Sequence, residues 1–144
     1  MYWFEEYIGK PWEAVPNPPH SFTCGELCRW ILRERYGLDV PEILADTHSL
    51  KDCVRNLSNP GHYGFAPLSE DASPREGDIA YFVYGTRLSH VGMAVESTEG
   101  LKILHCVQRI GVTYDSPAEL FGLGVRRFYW YRHKEMMEAC PCPC

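Results

Sequence analysis

The sequence has no apolar run near the roughly 18 residues that a membrane-crossing helix requires, no excess of positive charge and no internal repeat. The first absence excludes a helical membrane span. Fourteen basic residues stand against nineteen acidic ones, a net charge of -5, and no basic stripe with interleaved aromatics occurs. Nucleic acid is therefore set aside as the main partner. The first residues, Met1-Tyr2-Trp3-Phe4-Glu5-Glu6-Tyr7, carry neither a positive segment nor an apolar one, so no secretory signal is expected there and the chain is expected to be cytoplasmic as synthesised. The seven cysteines are odd in number, and Cys24, Cys28, Cys53 and Cys106 are scattered through regular-looking segments, which speaks against a disulfide framework.

What is present points to a folded globule. The 144 residues are 45% hydrophobic and 13% aromatic, enough to close one core, so a single domain is expected over residues 1–133. The tail, residues 134–144, ends Cys140-Pro141-Cys142-Pro143-Cys144, and is expected to lie outside the fold without fixed structure. Its alternating thiols could also hold a soft metal.

The chain is organised around Ser21-Phe22-Thr23-Cys24-Gly25-Glu26-Leu27-Cys28. Thr23 precedes Glu26 by three residues, a capping box that makes Cys24 the first residue of a helix running to Tyr36, with Gly37 as its left-handed cap. At that place the unpaired N–H groups and the helix dipole favour a thiolate, with a pKa below the free value of about 8.5. The same residue also opens an apolar stripe with Leu27, Cys28 and Ile31, which equally suits an ordinary core thiol. A base elsewhere has to decide.

A short helix is expected over Tyr2 to Ile8 and a second amphipathic helix from about Ser49 to Leu57, and the Gly- and Pro-rich stretch from His62 to Gly77 reads as an irregular connection. The period then changes. Asp78 to Tyr84, His90 to Glu96, Leu101 to Val107, Gly111 to Tyr114 and Val125 to Tyr131 read as strands, with a short helix over Ala118 to Leu123. Helices first and a strand meander after them predict an α+β fold, N-terminal helices packed on an antiparallel sheet of five to six strands. With Ser97 to Gly100 as a four-residue hairpin loop, Glu96 pairs with Leu101 and His105 faces Gly92. His90 and His105 then leave one face as diagonal neighbours, within reach of each other's rings. The remaining histidines, His20, His48, His62 and His133, fall where surface histidine is the default, although His20 is near enough in sequence to line a cleft beside Cys24. A thiol at a helix start, an imidazole base and a polar group to orient it are the parts of thiol catalysis.

Four segments give this pattern a family resemblance. Tyr7-Ile8-Gly9-Lys10-Pro11-Trp12, then Phe22-Thr23-Cys24-Gly25-Glu26-Leu27 with Tyr36-Gly37-Leu38-Asp39-Val40-Pro41, then Gly77-Asp78-Ile79-Ala80-Tyr81-Phe82 with Ser89-His90-Val91-Gly92-Met93-Ala94-Val95, and finally Ile103-Leu104-His105-Cys106 resemble the NlpC/P60 cysteine peptidases of papain-like fold. The resemblance implies Cys24 as nucleophile, His90 as base and His105 as the residue that orients it, acting on an amide bond of a peptidoglycan stem peptide with no metal or organic cofactor. Trp12, His20, Thr23, Gly25 and Ser89 are the candidate substrate-binding residues, and the backbone N–H of Cys24 is the candidate oxyanion donor. Two departures stand out: Thr23-Cys24-Gly25 replaces the usual Asp-Cys-Ser, and Trp12 stands where many members carry tyrosine. The expected lack of a leader and the variant Cys24-Gly25-Glu26-Leu27 make the chain resemble phage-tail or effector-type members, delivered to the cell wall by phage or secretion machinery. A thioester-forming acyltransferase and a non-catalytic tail-assembly module are the rival readings.

Overall fold

The computed structural model describes residues 1–62 and 64–138, so the cysteines at 140, 142 and 144 fall outside it. A 3-10 turn, Trp3–Tyr7, is followed by α1 (Cys24–Tyr36), α2 (Leu50–Leu57), a second 3-10 turn and six strands. The strands are β1 (Phe65–Pro67), β2 (Ile79–Phe82), β3 (His90–Ser97), β4 (Gly100–Val107), β5 (Gly111–Asp115) and β6 (Tyr129–His133). Two short helices, α3 (Pro117–Gly122) and α4 (Lys134–Glu138), flank the last strand. The sheet is antiparallel with order β1-β6-β2-β3-β4-β5, so the molecule is α+β as expected. No helix among the described residues is long and apolar enough to cross a membrane.

Helix α1 begins and ends where its residues dictate. The Thr23 hydroxyl accepts from the Glu26 N–H at 3.2 Å and Gly37 closes the helix at φ 67°, a left-handed conformation that glycine adopts without strain. The Glu26 carboxylate turns to Arg29 at 3.3 Å instead of reaching back to the Thr23 N–H, so only half of the expected capping box forms. The buried stripe of Leu27, Cys28, Ile31 and Leu32 packs on β3 and β4. Each fully buried Leu or Ile contributes about 2 kcal/mol of hydrophobic stabilisation.

Alternation along the strands splits the sheet between two cores. Ile79, Tyr81, Val91, Met93, Val95, Leu104 and Cys106 join the α1 side, whereas Ala80, Phe82 and Ile103 meet Leu120 and Val125 on the other. The hairpin register is the expected one, with Glu96 opposite Leu101, although Ser97 also pairs with Gly100 and the loop itself shortens to Thr98 and Glu99. A Cβ at residue 92 would lie 2.9 Å from the Leu104 carbonyl and 3.1 Å from the His105 Cβ, so a glycine there lets β4 and the His105 side chain come close.

Three expectations need correction. The stretch from His62 to Gly77 contains β1, a strand too short to show a period, which pairs with β6. The last strand starts at Tyr129 rather than Val125, because Val125 packs against Leu120 in the lower core before the chain reaches the sheet. The fold also continues past residue 133, through α4. At the start of β2, the buried Asp78 carboxylate accepts two bonds from the Arg132 guanidinium at 2.7 Å and one from the Arg75 N–H at 2.8 Å, clamping β6 to β2.

Candidate active site

Cys24 opens α1 and His90 opens β3, so the first turn of the helix lies over the end of the sheet that carries the base. One ligand-capable atom from each of Cys24, His90 and Asp46 lies within 4.8 Å of the others. His90 Nε2 meets His105 Nδ1 at 2.9 Å, and His105 Nε2 meets Asp115 Oδ2 at 2.7 Å. The two rings and the carboxylate form one line behind the thiol.

The direction of this line follows from its end. A carboxylate can only accept, so His105 Nε2 carries the proton; with one proton on each ring, His105 Nδ1 then accepts from His90 Nε2–H. That leaves His90 Nδ1 as a bare lone pair. It is buried and has no hydrogen-bond partner in the protein. Aromatic walls fix both rings: Tyr84 stacks on His90 with centroids 5.2 Å apart, and Phe82 meets the edges of His90 and His105 at 5.2 and 6.1 Å.

The expected thiolate at the helix start is not the resting form. Burial pushes the Cys24 thiol up to about 12, and the Asp46 carboxylate pushes in the same direction, while the Val91 N–H pulls it down. Desolvation outweighs the helix dipole because Cys24 is 1% exposed. Burial, and then the neighbouring His105, hold His90 well below its ordinary value, so the base is neutral near pH 7. The resting pair is a thiol and an imidazole, and the chemistry available is proton transfer from sulfur to Nδ1 as the sulfur attacks.

Beside the thiol lies a cleft of about 480 Å³ lined by Trp12, Thr23, Gly25, Asp46, Arg87 and Gln108, with the rest of the 42–48 segment forming its wall. From Val40 to His48 the chain is a strap pinned at every second residue. Arg29 Nε donates to the Val40 carbonyl at 2.8 Å, His62 Nε2 meets the Glu42 carbonyl at 2.7 Å, and the Tyr81 hydroxyl donates to the Leu44 carbonyl at 2.6 Å. Further along, the Asp46 N–H donates to the Ser89 carbonyl at 3.2 Å and the Ser89 hydroxyl to the His48 carbonyl at 2.9 Å. Asp46 itself has φ 63°, an uncommon conformation for a residue with a side chain, and Arg87 holds its Oδ1 at 2.5 Å while also meeting Gln108. A Cβ on residue 25 would fall 2.2 Å from the Ile43 carbonyl oxygen. Glycine after the thiol is what allows the strap to cross the helix start.

Among the sequence-nominated residues, the structure brings Cys24, His90 and His105 together and places Trp12, Thr23 and Gly25 on the cleft. His20 is exposed and does not line the cleft, because the Asn17 carbonyl ties its N–H into the preceding turn. Ser89 is fully buried and its hydroxyl is committed to His48, so it anchors the strap instead of facing the cleft. His62 and His133, assigned to the surface by default, are both buried, and His62 is a second anchor of the strap. Asp46, Arg87 and Asp115 went unnominated. Asp115 had a usable signal: β5 pairs His105 with Thr113, which puts Asp115 on the same face as its diagonal neighbour. No protein-family model and no curated protein matches the chain.

Proposed function

We propose that the chain is a cysteine amidohydrolase of papain-like, NlpC/P60-type architecture that cleaves an amide bond in a peptidoglycan stem peptide. The single observation that carries the reading is the line from Asp115 through His105 to His90, which leaves His90 Nδ1 without a partner and a His90 ring nitrogen within 4.8 Å of the Cys24 sulfur. In the reaction, Cys24 Sγ attacks the carbonyl carbon and gives its proton to His90 Nδ1. His90 returns that proton to the leaving amine, and water repeats the sequence on the thioester. His105 and Asp115 hold the His90 ring and its tautomer, and N–H groups at the start of α1 face the developing oxyanion. The cleft, with Arg87 and Asp46 on its wall, suits a charged peptide better than an acyl chain. Delivery to the cell wall by phage or secretion machinery goes with this substrate.

Digestion of purified muropeptides, read by mass spectrometry, tests the proposal. Cys24→Ala is expected to abolish product while keeping Tm within a few degrees; hydrolysis retained by this variant refutes the assignment. A second reading, a binding module that keeps the fold without turnover, is favoured by the burial of Cys24. Muropeptide titration separates the two: binding by the unsubstituted chain with no product formed supports the binding module.

A further inference from the structure

The cluster around the thiol contains more than a hydrolase needs. Asp46 takes no part in the proton path, yet the strap fixes it beside Cys24 and His90 through the Ser89 backbone and the Arg87 pair. Its left-handed backbone conformation is kept by those anchors. Meanwhile His90 Nδ1 is a buried lone pair with no partner. A sulfur, an imidazole nitrogen and a carboxylate oxygen, three donors of different type, thus lie within 4.8 Å of one another.

We propose that Cys24 Sγ, His90 Nδ1 and an Asp46 carboxylate oxygen form a reversible site for a divalent, borderline-soft cation, Zn2+ by its donor set, and that occupation of this site silences the nucleophile. Thiolate, imidazole and carboxylate are the ligands zinc takes, and three of them leave the fourth tetrahedral position open. Bond lengths of about 2.0–2.3 Å require the donors to close in by roughly an ångström, a closure that falls to the Cys24 and Asp46 side chains because the His90 ring is held by its aromatic walls. Two negative donors offset the charge of the ion, which lowers the cost of holding it in a buried place beside the Arg87 guanidinium. On binding, the Cys24 S–H bond breaks, the sulfur–zinc bond forms and the proton leaves to solvent; no oxidant or reductant takes part.

The shell behind the ligands matches the assignment. A zinc-bound histidine commonly donates its other ring N–H to a hydrogen-bonded partner that fixes tautomer and orientation. His90 does this through Nε2 to His105, which is held in turn by Asp115. Arg87 occupies Asp46 Oδ1 and leaves Oδ2 for the ion. Among the described residues this is the one cluster of such donors. The binding half of the proposal stands on that geometry alone, and the silencing half rests on the hydrolase reading.

The test uses the full chain with Cys140→Ser, Cys142→Ser and Cys144→Ser, so that the tail thiols cannot compete. Zn2+ alone is titrated into metal-free protein against a chromophoric chelator, and Co2+ is added separately for its thiolate-to-cobalt charge-transfer absorption. One equivalent bound with a charge-transfer band is expected. Cys24→Ser should remove the band, and Asp115→Asn should weaken Zn2+ by about 10-fold or more. Absence of the band, or a band that survives Cys24→Ser, overturns the site. Should Cys24→Ser fail to give a folded circular dichroism spectrum, His90→Gln takes its place with the same expected loss. Muropeptide digestion with and without Zn2+ separates the two ideas. Metal-free activity untouched by saturating Zn2+ refutes the silencing and leaves the hydrolase standing. Zn2+ bound through Cys24 with no hydrolysis in either form refutes the hydrolase and leaves the site.

Discussion

Gly25→Ala is the sharpest test of the strap. The added methyl would lie 2.2 Å from the Ile43 carbonyl oxygen, where contact distances between such atoms are roughly 3.4 Å, so the strap must retreat by about 1 Å or more. It cannot retreat freely, because the Leu44 carbonyl is held by Tyr81 at 2.6 Å and the Glu42 carbonyl by His62 at 2.7 Å. A shift of that size breaks at least one of these bonds, worth about 1 kcal/mol, and adds an overpacking cost of about 1–3 kcal/mol. The expected loss is about 2–4 kcal/mol, which lowers Tm by roughly 6–13 °C for a chain of this length. Thermal melts by circular dichroism give the stability, and timed iodoacetamide labelling with peptide mass spectrometry gives the exposure of Cys24. The variant should melt lower and alkylate faster at Cys24, since the strap covers the thiol. A melt within about 1 °C of the parent, with unchanged labelling, would refute the close crossing of strap and helix.

Further outcomes follow from the same geometry. In metal-free protein, Asp46→Asn should move the pH profile of Cys24 alkylation down by about one unit, because a carboxylate within 4.8 Å of the sulfur opposes its ionisation and Arg87 offsets only part of that; an unmoved profile would show that the carboxylate does not reach the thiol. Asp115→Asn should cut kcat/KM for muropeptide hydrolysis by about 10-fold or more while Tm changes by only a few degrees, as the amide lets His105 turn and loosens His90; equal activity would remove Asp115 from the line. Stability should fall on both sides of neutral pH. His90 is held below its ordinary 6.5, so below about pH 6.5 the unfolded chain takes up a proton that the native state refuses. Cys24 is raised from 9.0 to about 12, so from pH 9 upward the unfolded thiol ionises first and stability is lost toward pH 12. Chemical denaturation from pH 5 to 10 checks this, and His90→Asn should blunt the acid-side loss alone.

Local signals carried much of the fold. Thr23, Glu26 and Gly37 placed both ends of α1 to the residue, because capping is chemistry among near neighbours in sequence. The hairpin register followed from side-chain alternation, which a slip of one residue would invert. The wall of the site was different. Asp46 lies in an extended segment with no period, and its position depends on Ser89 and Arg87, more than forty residues away. Nothing near Ala45-Asp46-Thr47 in the sequence marks it. The ionisation of Cys24 was misjudged for a related reason: the helix dipole is local and legible, whereas the burial that overrides it comes from a strap, a sheet end and aromatic side chains brought in from elsewhere.

The strand order has a bearing on how the protein is made. β6 is the last strand in the chain yet sits inside the sheet, between β1 and β2, locked there by Arg132 on Asp78. A nascent chain that has emerged only as far as residue 128 therefore presents β2 with an open flank and leaves β1 with no neighbour. Completion of the sheet waits until Tyr129–His133 has emerged, and until then the partly made product offers a sticky edge that a holdase chaperone would recognise.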